Sequence, residues 1–381
     1  MSVEASQRRP ARVGVPPAVR GLFVLVCLYL FLVGISCLET GIAAAGAGLQ
    51  QGLLDSVSHP ISGLCAGLLV TVLVQSSSVS TSTIVGMVGA GTLPVALAVP
   101  MVMGANIGTT ITSTLAALGS LRRTNEFRRA FAAATVHDFF NILGVVILLP
   151  VELATGVLRR SATFLTGYLR GTEVTTGPSG SNILRDAVGF PVSVLESVVG
   201  EHGAFVSVAF LLVGLACIFF ALAFITKNMR QLMAGGVERV INRLIGDGGG
   251  LLGIAVGLGI TVAVQSSSIT TSILVPLVAA GVLTLRSAYP VTLGANVGTT
   301  VTALIASLAV ARPEGLTIAL VHLLFNAYAL LLIYPLPQVR VVPVRLAEGL
   351  AELAVWRRRI VVIYVVGGFL VAPLLGVLLI R

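Results

Sequence analysis

The stretch TVLVQSSSVSTSTIV, residues Thr71–Val85, returns as TVAVQSSSITTSILV at Thr261–Val275. Ten of the fifteen positions are identical. Both copies lie inside runs made otherwise of Val, Leu, Ile, Gly and Ala. An apolar chain that places a glutamine and a row of hydroxyls in the same setting twice is organised around them. Chance similarity of apolar sequence does not preserve Gln and Ser.

The surroundings give the class. Of 381 residues, 56% are hydrophobic and 10% are charged. A soluble globular chain carries about 25% charge. Mean hydropathy is +1.01, which reads as an integral membrane protein. Phe23–Leu38, Gly203–Thr226 and Ile360–Ile380 are uncharged apolar runs. Each approaches the roughly 20 residues that a helix needs to cross a bilayer. The net charge of +9 could suggest nucleic acid, but the arginines are scattered between apolar spans. Membrane orientation accounts for them, and no nucleic-acid partner is expected. A signal peptide also has a basic start and an apolar core. No small-residue cleavage site follows before Glu39, so the first run reads as a retained helix. Cys27, Cys37, Cys65 and Cys217 lie in or beside apolar segments without metal-ligand spacing, and read as packing residues.

The repeat extends beyond its first block. At the same offset of 190, MGANIGTTITS (Met103–Ser113) matches LGANVGTTVTA (Leu293–Ala303). VHDFFN (Val136–Asn141) then matches VHLLFN (Val321–Asn326) at an offset of 185. Three blocks in one order define two units. The expected layout is a cytoplasmic segment 1–20, repeat one 21–154 and a central extracytoplasmic loop 155–204. Repeat two, 205–337, follows, then a cytoplasmic interfacial segment 338–359 and a last membrane helix 360–381. The loop has a polar centre, RGTEVTTGPSGSN, and reads as the linker between halves. MRQLMAGGVERVINRLIGD (Met229–Asp247) and VRLAEGLAELAVWRRR (Val344–Arg359) have one apolar face each and suit helices lying on the membrane.

Arginine counts assign sides. The N-terminal segment, Arg122–Arg129, Lys227–Arg243 and Arg340–Arg359 are expected in the cytoplasm. The central loop and the turn Ala311–Gly315 are then outside. The Arg-rich turn of repeat one is therefore inside and its counterpart in repeat two outside. That makes an inverted repeat, an architecture of many secondary transporters.

In the first block Gln75, Ser76, Ser77, Ser78, Thr81 and Ser82 supply neutral groups able to donate and accept. The second block supplies Gln265, Ser266, Ser267, Ser268, Thr271 and Ser272. Ser and Thr can bond back to their own helix, which explains isolated hydroxyls but not a duplicated cluster with Gln. Gly86, Gly89 and Gly91 follow, and the stretch is too broken for a plain span. A re-entrant or discontinuous helix hairpin fits. Its freed carbonyls suit a cation and its half-helix N-termini an anion. The Gly-Ala-Asn elements add Asn106, Thr109 and Thr110, with Asn296, Thr299 and Thr300. From Ser56 to Leu121 there is no Asp, Glu, Lys or Arg, and from Gly248 to Val310 only Arg286. A bound cation and a bound anion would neutralise each other there, and obligate proton coupling is disfavoured. His137 and Asn141, like His322 and Asn326, share a helical face. They read as a structural interhelical lock or a gate. Asp138 has no counterpart, since Leu323 stands in its place.

Together, the two Gln-Ser-Ser-Ser blocks, the Gly-Ala-Asn-x-Gly-Thr elements and EFRRAFAAATVHDFFNILGVVILLP resemble the type II sodium–phosphate cotransporters. The resemblance covers roughly Leu28–Pro150 and Phe210–Pro335. It implies an all-α polytopic protein of the cell (inner) membrane that couples sodium entry to uptake of inorganic phosphate. The substrate and sodium site would be the eighteen blocks-and-elements residues named above, with sodium as a co-transported ligand and no cofactor. The central loop lacks the cysteines and glycosylation acceptors of animal members, so a compact bacterial-type chain is implied.

Other readings compete. One is sodium-linked phosphate export, or carriage of another oxyanion such as sulfate or arsenate. Another is a passive channel. An embedded enzyme is disfavoured, since the core offers no acid pair, metal cluster or nucleophile with a base. Stoichiometry, oligomeric state and the side of the C-terminus stay open.

Overall fold

The computed structural model describes residues 16–45, 51–52, 54–55, 57–171, 183–200, 203–247 and 250–380. The N-terminal basic segment and the polar centre of the central loop lie outside them. Among the described residues, six helices are long and apolar enough to cross a membrane. They are Ala18–Ala44, Val95–Ser120, Thr124–Thr155, Ala204–Met229, Pro313–Ile333 and Arg359–Leu379.

Repeat one begins with α1 (Pro17–Ala44). The hairpin pair α2 (Pro60–Val74) and α3 (Ser77–Gly89) follows. Then α4 (Val95–Gly108) runs on through Thr109 and Thr110 into α5 (Ile111–Ala117). The unit closes with α6 (Thr124–Thr155). Two helices, α7 (Val157–Gly171) and α8 (Ile183–Val199), lead to repeat two. It comprises α9 (Ala204–Asp247), the hairpin α10 (Gly250–Val264) with α11 (Ser267–Ala279), α12 (Leu285–Ser307) and α13 (Pro313–Ile333). The chain ends in α14 (Pro337–Trp356) and the span α15 (Arg359–Leu379), whose middle, Ile363–Val371, is π-helical.

At a rise of 1.5 Å per residue, α2 and α10 reach about 22 Å, short of a roughly 30 Å hydrocarbon core. Small residues let each lie close on the following rod. A methyl group at Gly67 would overlap the Met101 carbonyl, and one at Gly257 the Val291 carbonyl. Conversely, Gly104 lies against Leu64 and Gly294 against Ile254. Such close backbone approach is how helices associate where lipid removes the hydrophobic drive. The first helices of the two units also meet: Ser207 Oγ donates to Gly41 O at 2.7 Å. Helix α1 is thus packed against α9.

Each unit reaches the turn that follows the hairpin of the other. Arg129 Nε, near the start of α6, donates to Ala279 O at 2.9 Å, at the end of α11. Reciprocally, the guanidinium of Arg312, just before α13, lies against Gly91 in the turn after α3.

The central connection differs from the expected loop. Helix α6 ends at Gly156 (φ 65°), and Glu152 folds back to accept from Leu158 N at 2.6 Å, capping α7. Leu158, Ala162 and Thr166 are buried, and Thr166 Oγ1 lies 3.0 Å from Thr317 Oγ1 on α13. Tyr29 OH donates to Ala187 O and ties α8 to α1. The connection is a pair of docked amphipathic helices around a polar centre.

The interfacial segments also differ. In α14, Val344, Ala347, Ala351 and Ala354 are buried at helical spacing, and the helix packs on α6. One face is thus protein contact, while Leu346, Leu353 and Trp356 remain exposed. The backbone of Met229–Asp247 simply continues α9. The side chains of its expected apolar face, Leu232 to Leu244, lie outside the described residues.

Candidate binding site

Both glutamines sit at a break of the same form. Gln75 and Gln265 each have φ 57° and are the only non-glycine residues with positive φ among the described residues. The next residues, Ser76 and Ser266, are extended (φ −151° and −156°) before the second helix starts. The chain reverses there: Thr261 Oγ1 lies 2.8 Å from Thr270 Oγ1, nine residues later. The broken-helix hairpin expected from the sequence is present in both units.

A left-handed residue with a Cβ costs about 1–2 kcal/mol. The glutamine amide offsets this. Gln75 Nε2 donates to Val72 O at 2.5 Å, and Gln265 Nε2 to Val262 O at 2.6 Å. Each satisfies one of the orphan carbonyls at a helix end. The amide oxygens in turn accept from the following rod: Thr112 Oγ1 to Gln75 Oε1 at 3.4 Å, Thr302 Oγ1 to Gln265 Oε1 at 2.9 Å. Thr112 and Thr302 are functional candidates that sequence reasoning missed. The signal was available, since they occupy the same place in the repeated Gly-Ala-Asn block.

After each break a half-helix begins. Ser76 caps α3, its Oγ accepting from Val79 N at 3.3 Å. The first amides of α3 and α11, at Ser77, Ser78, Ser267 and Ser268, belong to helix N-termini, where donors and dipole favour an anion. Ser77, Ser78 and Ser267 are buried; Ser268 and Ser272 are partly so. Ser82 Oγ is buried with no hydrogen-bond partner among the described residues.

The threonines use their protons locally. Thr81 donates to Ser77 O, Thr109 to Ala105 O, Thr110 to Ile107 O, Thr299 to Ala295 O and Thr300 to Val297 O. Such bonds leave oxygen lone pairs to face a neighbour, a set suited to a hard cation. Thr271 does more, approaching Ser113 Oγ at 2.7 Å across the repeat boundary. The consecutive residues Thr112 and Ser113 therefore link the first glutamine to the second hairpin.

The four asparagines converge. Asn296 Nδ2 donates to Asn141 Oδ1 at 2.7 Å and to Asn326 Oδ1 at 2.6 Å. Asn141 Nδ2 donates to Asn106 O at 2.8 Å, and Asn326 Nδ2 approaches Asn106 Oδ1 at 3.3 Å. His322 Nε2 lies 3.4 Å from Asn106 Oδ1. All are at most 2% exposed. Asn106 and Asn296, grouped from sequence with the ligand set, thus engage the same lock as Asn141, Asn326 and His322. His137 is equally buried, and its Nε2 has no partner among the described residues.

One expectation is corrected. The acid-free stretch does not make an acid-free core, because Asp138 packs against it at 0% exposure. Its Oδ2 accepts from Thr114 Oγ1 at 3.4 Å and from Tyr364 OH of the π-helical segment. Sequence reasoning set this residue aside because its repeat partner is Leu323.

Six apolar spans among the described residues, two broken-helix hairpins and a buried amide lock between the repeats define an all-α polytopic membrane protein. The chain belongs to the Na+/Pi-cotransporter family, whose profile it matches over residues 30–167 and 217–335. It is similar to sodium-dependent phosphate transport protein 2A of Ovis aries, 34% identical over 92% of this chain and 66% of the relative. Similarity to protein 2B of Homo sapiens is 34% over 93% of this chain and 64% of the relative. For protein 2A of Oryctolagus cuniculus the identity is 35%, over 91% and 65%. The chain spans just under two thirds of the length of these relatives. No solved structure matches it.

Proposed function

We propose that this protein is a secondary transporter of the cell (inner) membrane that couples sodium entry to uptake of inorganic phosphate. The observation that carries the reading is the pair of matching hairpins in a member of this family. Each offers a half-helix N-terminus for the anion beside threonine oxygens for sodium. Gln75 and Gln265 hold the two turns, and the Thr112–Ser113 link couples them.

An inverted arrangement of the repeats is part of the reading. Within repeat one, the rod Val95–Ser120 separates the turn after the hairpin from the entry to α6. Yet the α6 entry meets the turn after the hairpin of repeat two, and the α13 entry that of repeat one. Crossed contacts of this kind support opposite directions. Exchange of conformations between two such units would give alternating access about one central site.

The test is labelled phosphate uptake by purified protein in liposomes. An inward sodium gradient is expected to drive accumulation, and a proton gradient alone is not. Equal uptake with potassium in place of sodium would refute the proposal. Counterflow with sulfate and arsenate checks the anion.

A further inference from the structure

Arg286 is the single charged side chain between Gly248 and Val310, and the transport reading leaves it unused. It stands in the first turn of α12. With Tyr289 one turn on, Tyr334 after α13 and Arg340 in α14, it walls a cavity of about 250 Å3. That is room for a phosphate together with part of whatever it is esterified to.

The cavity is not a by-product of the repeat. At the offset of 190, Arg286 and Tyr289 correspond to Ala96 and Val99, while Pro290 matches Pro100. Repeat one builds the same turn with two small apolar side chains. Packing therefore does not call for a guanidinium and a phenol here.

Three observations point to an anion. Tyr289 is 2% exposed, and its hydroxyl has no hydrogen-bond partner among the described residues. Leaving such a group unpaired carries a desolvation penalty that a bound acceptor would remove. Among the described residues, neither Arg286 nor Arg340 is ion-paired and no carboxylate lines the cavity. The Arg340 guanidinium also lies over the Tyr334 ring, 5.2 Å from its centroid, a contact that favours its place at the cavity wall. Two like charges at one opening repel, and an anion between them relieves that. Arginine donors match phosphate oxygens two at a time. A second cavity beside Thr284 and Leu285 is lined by Arg128 and Arg129 but also by Glu348 and Glu352, so its charges balance, unlike those of the first.

We propose that the cavity between Arg286 and Arg340 binds a phosphate group, as free inorganic phosphate or as the headgroup of an anionic phospholipid. It is separate from the paired hairpins. The site does not depend on the transport reading.

The test has two arms, each on wild type and on the double variant Arg286→Ala, Arg340→Gln. Both arginines are exposed, and alanine is what repeat one carries at the first position. In the first arm the protein is equilibrated with phosphatidylglycerol and phosphatidylcholine, and retained lipid is read by native mass spectrometry. In the second, labelled inorganic phosphate is titrated without sodium or anionic lipid. Wild type is expected to bind in at least one arm, and the double variant to lose about tenfold or more in that arm. Tyr289→Phe, which keeps the ring, is expected to weaken the same ligand by a smaller factor. Binding in the first arm alone assigns the headgroup, in the second alone the free ion, and in both a site open to either source. Equal binding by wild type and double variant in both arms, or no binding by wild type in either, overturns the proposal. Gln75→Ala is expected to bind as wild type. Its uptake is measured separately, so failure of transport and failure of this site are distinguishable.

Discussion

At the scale of the residue, Gln75 and Gln265 do two jobs: each holds a left-handed backbone and caps a helix end with its amide. Glycine keeps the first job and loses the second, while alanine loses both. Gln75→Gly is therefore expected to preserve the hairpin and lose coupled uptake; Gln75→Ala is expected to lose uptake and also lower the melting temperature. Melting curves and uptake on both variants check this, and normal uptake by either would remove glutamine from the mechanism. The asparagine lock allows a parallel test. Asn296→Ala strands Asn141 Oδ1 and Asn326 Oδ1, at roughly 1–3 kcal/mol for each buried acceptor left unpaired. Its melting temperature is expected to fall clearly. The lock was legible in part, since His137 with Asn141 and His322 with Asn326 read as an interhelical lock or a gate. The spacing of His322 and Asn326 gave a shared face, but nothing local says that Asn296 meets Asn141 across the repeat boundary. Asp138 was missed for a related reason: it breaks the repeat, and its partner Tyr364 lies in the last helix.

At the scale of the element, the hairpins were legible because Gln and Ser interrupt long apolar runs, and an apolar helix cannot leave such groups to lipid. The helices flanking the central loop were not. Their buried positions Leu158, Ala162, Val188 and Val192 are few and interleaved with polar residues, so the polar centre dominated the reading. The alanine face of α14 was also hidden, since small residues carry little hydropathy signal yet permit close packing on α6. Glycine offers a sharp test at this scale. Gly257 touches the backbone of α12, whereas Gly259 on the same helix faces open space. Gly257→Ala is expected to destabilise the protein by roughly 1–3 kcal/mol through overpacking. Gly259→Ala is expected to leave the melting temperature unchanged or slightly raised. Equal shifts in the two variants would mean that close approach of α10 to α12 does not hold the hairpin.

At the scale of the whole molecule, the repeat was the most legible feature, while its inverted sense rested on arginine counts alone. Three blocks in one order gave two units, and arginine counts suggested opposite sides. The crossed contacts of Arg129 and Arg312 support the same orientation from packing alone. Alternating access about one site depends on it, so the orientation of the two turns is the point to measure. Asn125 and Glu314 are exposed at the entries to α6 and α13. Single cysteines are placed there, Asn125→Cys and Glu314→Cys, after Cys27, Cys37, Cys65 and Cys217 are replaced. An impermeant thiol reagent is expected to label Glu314→Cys in intact cells, and Asn125→Cys only once the membrane is opened. Labelling of both from the same side would mean that the two repeats run parallel, and the exchange mechanism would fall with it.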